Sequence, residues 1–157
     1  MKGNIVIISK LNQLLTQELT AMDIYFLHSR IYQDYGLTKL FERISHEMTD
    51  ETTHAALLIE RILFLEGMPE LGTRAPYKLT TDVKEMIQVE LGYEYDNCKL
   101  LKEVIATCEK ENDFGTREIV LQLLKDTEED HINWLETQLK LIAAVGIERY
   151  LQTSSEK

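Results

Sequence analysis

Apolar residues recur at three- and four-residue steps through most of this chain, and no segment keeps a two-residue alternation for long. That pattern predicts helices throughout and no sheet. Leu11, Leu14, Leu15, Leu19, Met22, Tyr25 and Phe26 stand at the spacing of one core-facing stripe, predicting a first helix over about residues 5 to 35. Gly36 is a natural left-handed stop after it. Thr38 is the expected N-cap of a second helix over about 39 to 66, ended by Gly67 with Pro69 just beyond. Asp82, with Glu85 three residues later, has the logic of a capping box and opens a third helix running to about residue 112. Residues 112–115, Asn-Asp-Phe-Gly, form a turn. A fourth helix follows to about residue 145, Gly146 closes it, and the segment IERYLQ forms a short fifth.

Six of the seven glycines and both prolines fall between or at the ends of these segments, and only Gly92 lies inside one. The stretch from Gly67 to Thr81 holds both prolines and little periodicity, so it reads as a long connection. Two short turns flanking one long connection predict an all-α four-helix bundle in which helices one and two form one antiparallel pair and three and four another. The long crossover joins helices 2 and 3. A length of 157 residues suits one domain, 1–157, with a substantial core.

Composition changes this picture little, but charge does. A formal net charge of −10 argues against a nucleic-acid surface and favours solubility or attraction of cations. The N-terminal stretch is interrupted by Lys10, Asn12, Gln13, Gln17 and Glu18, so it reads as neither a signal peptide nor a membrane span. Cys98 and Cys108 lie ten residues apart within one helix, too far to bridge. The expectation is a cytoplasmic protein in a reducing setting, without membrane or nucleic-acid partners.

The chemistry lies in two Glu-x-x-His pairs, Glu51 with His54 and Glu128 with His131. Positions i and i+3 share a helix face, so each pair can converge on one point. Glu18 precedes Glu51 by 33 residues and Glu94 precedes Glu128 by 34, with the midpoints beside the two short turns. In an antiparallel hairpin, residues equidistant from the turn stand at one height. Each hairpin therefore sets a lone Glu opposite a Glu-x-x-His. Glu18 lies among Leu14, Leu15, Leu19 and Met22, and Glu94 near Leu91 and Leu101. A carboxylate on an apolar stripe is costly unless paired or bound to metal. Four carboxylates balance two divalent cations, and oxygen-rich ligation with one imidazole per ion suits iron or manganese better than structural zinc.

With the stretches LLTQELTAMDIYFLHSRIY, ERISHEMTDETTHAALLIERILFLEG, LLKDTEEDHINWLE and the terminal GIERYLQ, the chain resembles bacterioferritins and bacterial ferritins along nearly its whole length. The resemblance implies a ferritin-like bundle in a hollow 24-subunit homo-oligomer that stores and detoxifies iron. It implies a ferroxidase centre in each subunit, where two iron ions bind and Fe(II) is oxidised by O₂ or H₂O₂ before a ferric mineral forms inside. Glu18, Glu51, Glu94 and Glu128 would supply carboxylates, Glu51 and Glu128 as bridges, and His54 and His131 would each cap one iron. His46 and Asp50 match an inner-surface iron site in some members, or are a solvated pair one turn apart. Glu47 would help iron entry. Tyr25, on the face of Glu18, is either an electron donor or an ordinary core tyrosine. A ferredoxin is the candidate reductant for iron release.

One departure concerns haem. In bacterioferritins a methionine directly follows the residue equivalent to Glu51 and ligates haem between two subunits; here that position is Thr52. A hydroxyl is a poor substitute for a thioether. Met48, one turn earlier, is a weak candidate, and Met22 is a second thioether for the same region. The expectation is a subunit that does not ligate haem in the usual way, in a homo-oligomer or beside a Met-bearing haem-binding subunit. The alternatives are a di-metal peroxidase or oxygenase that is not a storage protein, and a helical scaffold without catalysis. The absence of a Cys-x-x-Cys pair disfavours the rubrerythrin type of the first.

Overall fold

The computed structural model describes residues 1–155. The chain forms α1 (Ile5–Asp34), α2 (Thr38–Phe64), α3 (Val83–Lys110), α4 (Phe114–Asp126), a π-helical segment (Thr127–Ile132), α5 (Asn133–Val145) and α6 (Ile147–Ser155), with no strand among the described residues. The fourth long helix of the bundle is thus α4, the π segment and α5 in unbroken succession. The architecture is the expected all-α four-helix bundle with a short C-terminal helix. No helix among the described residues is long and apolar enough to cross a membrane.

The helix ends show how local sequence sets these boundaries. Gly36 takes the left-handed conformation (φ 73°), and the Leu37 amide donates back to the Tyr32 carbonyl at 2.9 Å. Thr38 is the first helical residue rather than the N-cap, which is Leu37 and makes no side-chain capping bond. At the end of α2 the left-handed position falls to Glu66 (φ 61°), not to Gly67. Gly67 is needed for closeness instead: a Cβ there would lie 2.7 Å from Ile8 Cγ2 and 3.0 Å from Ile62 Cγ2. Asp82 caps α3 as expected, accepting from the Glu85 amide at 2.9 Å, whereas the Glu85 carboxylate accepts from the Thr80 hydroxyl at 2.6 Å.

The crossover climbs along α1. Asn12 holds its start, donating to the Met68 carbonyl (3.1 Å) and accepting from the Glu70 amide (2.8 Å). Thr20 accepts from the Ala75 amide at 2.9 Å, Asp23 pairs with Arg74 at 2.8 Å, and Tyr35 donates to the Thr81 carbonyl at 3.2 Å. The connection therefore returns the chain to the far end of α1, and α3 descends antiparallel to it.

The core has two apolar clusters. One gathers Leu11, Leu15, Leu58, Ile62, Leu101 and Leu123, and the other Tyr32, Ile44, Met86, Ile87, Leu135 and Tyr150. Phe26, expected in the core, is about half exposed. Between the clusters lies a layer of buried polar residues. Truncating Leu58, which is fully buried, removes a side chain that no neighbour can replace. Leu58→Ala is expected to destabilise the metal-free protein by about 2–5 kcal/mol in denaturant unfolding.

Candidate metal centre

Each long helix sends at least one polar side chain into that layer. Glu18 comes from α1, Glu51 and His54 from α2, Glu94 from α3 and His131 from the π segment, and all five are buried. His54 Nδ1 lies 3.6 Å from Glu18 Oε2 and 3.7 Å from Glu51 Oε2. His131 Nδ1 lies 3.0 Å from Glu51 Oε1 and 3.5 Å from Glu94 Oε1. Glu51 therefore turns one oxygen to each half. Two ligand triads share it: Glu18, Glu51 and His54, and Glu51, Glu94 and His131. The imidazole rings stack with centroids 5.9 Å apart.

Neutral donors hold the outer oxygens. Asn97 Nδ2 donates to Glu18 Oε1 at 3.2 Å and the Tyr25 hydroxyl to Glu94 Oε1 at 2.5 Å. The inner atoms, Glu18 Oε2, both Glu51 oxygens, Glu94 Oε2 and the two Nδ1 atoms, have no hydrogen-bond partner. Buried polar atoms are rarely left so. Six of them converging in one layer are a donor set that fits two divalent ions sharing Glu51.

The protonation states show the strain of this layer without metal. Burial, and then the Glu51 carboxylate beside it, pushes the Glu18 carboxyl up to about 8. Burial and the Glu94 charge would raise Glu51 too, but the Glu18 carboxyl and the His131 and His54 imidazoles beside it hold it below the usual carboxylate value. Burial should lower the histidines, yet Glu18 and Glu51 raise His54 to about 11, and Glu47, Glu51 and Glu94 raise His131 well above its ordinary value. Protons thus stand in for missing positive charge. Burial and then the charges of Glu94, Glu51 and Glu90 raise the Tyr25 phenol well above its ordinary value, so it remains protonated.

The outer ring nitrogens also have carboxylate partners. His54 Nε2 lies 3.3 Å from Asp126 Oδ2, and His131 Nε2 lies 2.6 Å from Glu47 Oε2 and 3.6 Å from Asp50 Oδ2. This arrangement suits a proton on Nε2 and a lone pair on Nδ1 once metal arrives. Asp50, Thr53, His54, Asp126, Asp130 and His131 line a groove of about 240 Å³ that reaches both imidazoles.

One expected ligand is not brought in. Glu128 points outward, 3.6 Å from Lys102 Nζ. The cause is the π segment: its wider turn holds more residues than an α turn, so three steps from Glu128 no longer return to the face of His131. Thr127 is turned inward instead, fully buried with its Oγ1 unpartnered. His46 is largely exposed, 3.5 Å from Asp50. Thr52 is on the outer surface and donates to the Met48 carbonyl (2.9 Å) and toward Met22 Sδ (3.3 Å).

Several residues escaped the sequence reading. Asp126 and Asp130 lie in the acidic run before His131, at positions the Glu-x-x-His spacing does not single out. A buried pair, His28 Nδ1 and Glu90 Oε1 at 2.5 Å, stands one turn from Tyr25 and Glu94 with Tyr32 beside it. The signal was present, since Glu90 and Glu94 share a face.

A ferritin-like domain model matches residues 8–145. The chain is 53% identical over 153 residues to a bacterial ferritin of Synechocystis sp., covering 98% of each. It is 47% identical to a bacterial ferritin of Neisseria meningitidis, covering 98% of this chain and 99% of the relative. A bacterioferritin of Brucella melitensis is 41% identical, with 99% and 96% covered.

Metal must displace the protons on Glu18, His54 and His131. Protons and metal compete for the same lone pairs, so affinity rises with pH. Loading the metal-free protein with Co(II) at pH 7 is expected to release protons, measurable with a pH indicator. Apparent affinity should climb with pH up to about 8, the range over which the proton on Glu18, raised to about 8, competes with the metal.

Proposed function

The chain belongs to the ferritin family, and on that premise we propose that it stores and detoxifies iron by oxidising Fe(II) within each subunit and depositing ferric product inside a shell of 24 copies. The observation that carries this reading is the convergence of six unpartnered donor atoms on two triads that share Glu51.

Fe(II) is the substrate, and O₂ or H₂O₂ takes its electrons. Glu18, Glu51 and Glu94 supply the charge that binds it, and His54 and His131 supply one neutral nitrogen each through Nδ1. Asp126 and Glu47 fix the two rings from outside. Asn97 and Tyr25 orient the lone carboxylates so that one oxygen of each stays free. Tyr25, buried and hydrogen-bonded to Glu94, is placed to give an electron and pass its proton to that carboxylate. The groove with Asp50, Asp126 and Asp130 gives cations an acidic path to the imidazoles, with Glu47 and the His46–Asp50 pair beside it. Thr52 offers no thioether, so this subunit is read as making no axial haem ligation of its own; a Met-bearing partner subunit would be needed to supply it.

His54→Ala and Glu94→Gln are expected to slow Fe(II) oxidation at least roughly tenfold, since even outer partners of metal ligands cost that much. Shell mass, read by light scattering, should be unchanged, and the parent should take up iron well beyond two ions per chain. Glu128→Ala, at an exposed position, should lower the rate far less. A loss equal to that of His54→Ala would mean that the π segment re-registers around iron and brings Glu128 in.

A further inference from the structure

A third cluster of donors lies outside the two triads. Glu47, Asp50, Asp130 and His131 each bring one donor atom to within 4.8 Å of the other three. Glu47 is buried, and neither of its oxygens has a hydrogen-bond partner. Its Oε2 lies 2.6 Å from His131 Nε2, and Asp50 Oδ2 lies 3.6 Å from the same nitrogen. Three acids gathered so closely repel one another unless a cation stands among them.

The chain supplies a cation of its own. Arg43, one turn before Glu47 on α2, brings Nη2 to ion-pair distance of Glu47 Oε1, at 2.6 Å. The same nitrogen donates to Asp130 Oδ1 at 2.8 Å. The guanidinium lies over the Trp134 ring, 5.0 Å from its centroid, while its Nε is buried without a hydrogen-bond partner. Charge and stacking therefore hold this head, rather than a full set of hydrogen bonds. Carboxylate oxygens in this number are what a hard divalent ion takes.

We propose that Glu47, Asp50 and Asp130 form a third divalent-cation site that the Arg43 guanidinium fills in place of a metal ion. The tethered charge balances the acids without binding iron. Ions entering along the groove past Asp50 and Asp130 thus find no resting place beside His131 and go on to the Nδ1 atoms. Without the guanidinium, the Glu47 and Asp130 oxygens it occupies are free, and the cluster takes an ion of its own. This site rests on the two-ion reading above only for its baseline count, and needs nothing of the oxidation chemistry.

Counting tightly held Mn(II) on the assembled metal-free protein, by electron paramagnetic resonance of the free ion, tests this. The parent should hold two ions per chain and Arg43→Gln three, whereas Arg43→Lys, which keeps the charge, should stay at two. Adding Asp130→Asn to Arg43→Gln should return the count to two. Trp134 is the only tryptophan, and in Arg43→Gln its fluorescence should fall further with the third equivalent of this paramagnetic ion. Thermal unfolding checks that each metal-free variant is folded, and Arg43→Met, which keeps an apolar stem over Trp134, replaces a glutamine variant that fails to assemble. A count that stays at two without the guanidinium, or a gained ion that survives Asp130→Asn, would overturn the proposal. So would a parent that already holds a third ion and loses it on Asp130→Asn. A parent holding fewer than two would instead sink the two-ion reading, and the gain of one ion over the parent would still measure the third site.

Discussion

Three carboxylates and two imidazoles buried in one layer, with apolar clusters above and below, set the terms for the rest of this structure. Such a layer is unfavourable unless its charge is neutralised. Without metal the compensation comes from protons, held on Glu18 at about 8 and on His54 at about 11. With metal it comes from cations, which the same unpaired atoms are free to bind. Binding and proton loss are therefore one event, and the bundle is a scaffold that keeps the layer from relaxing into solvent.

Holding that layer in register falls to the turns and the crossover. The two tight turns match heights within each hairpin, and the crossover, tied to α1 at Asn12, Thr20 and Asp23, matches one hairpin to the other. The neutral donors Asn97 and Tyr25 then fix one oxygen of each lone glutamate. The fourth side departs from symmetry. There the π segment keeps His131 inward, turns Glu128 out, and places Asp130 against Arg43. The departure leaves three carboxylates facing the imidazole Nδ1 atoms where the repeat called for four, and it gives the two imidazoles different outer partners.

Much of this was legible in the amino-acid pattern. Three-to-four periodicity and the positions of glycine and proline gave the helices and the long crossover, because those signals act within a few residues. Equal distances from two turns gave the meeting of Glu18 with Glu51 and His54, because an α-helix advances by a fixed rise and an antiparallel pair mirrors it. Phe26 fits the core stripe of α1 by spacing, yet it is half exposed. Periodicity reports a face, but not where that face ends against its neighbour.

The sequence by itself determined the helices, their order, and a six-residue candidate layer of which the structure buries five, since each depends on local conformation and counting along the chain. Only the tertiary structure decided the fate of Glu128, because a π turn changes the angle per residue and no i,i+3 rule survives it. It also decided that Arg43, Glu47, Asp126 and Asp130 stand behind the imidazoles. Those contacts join residues up to 87 positions apart. Their partners are set by side-chain reach across packed helices, a distance that spacing along one helix does not encode.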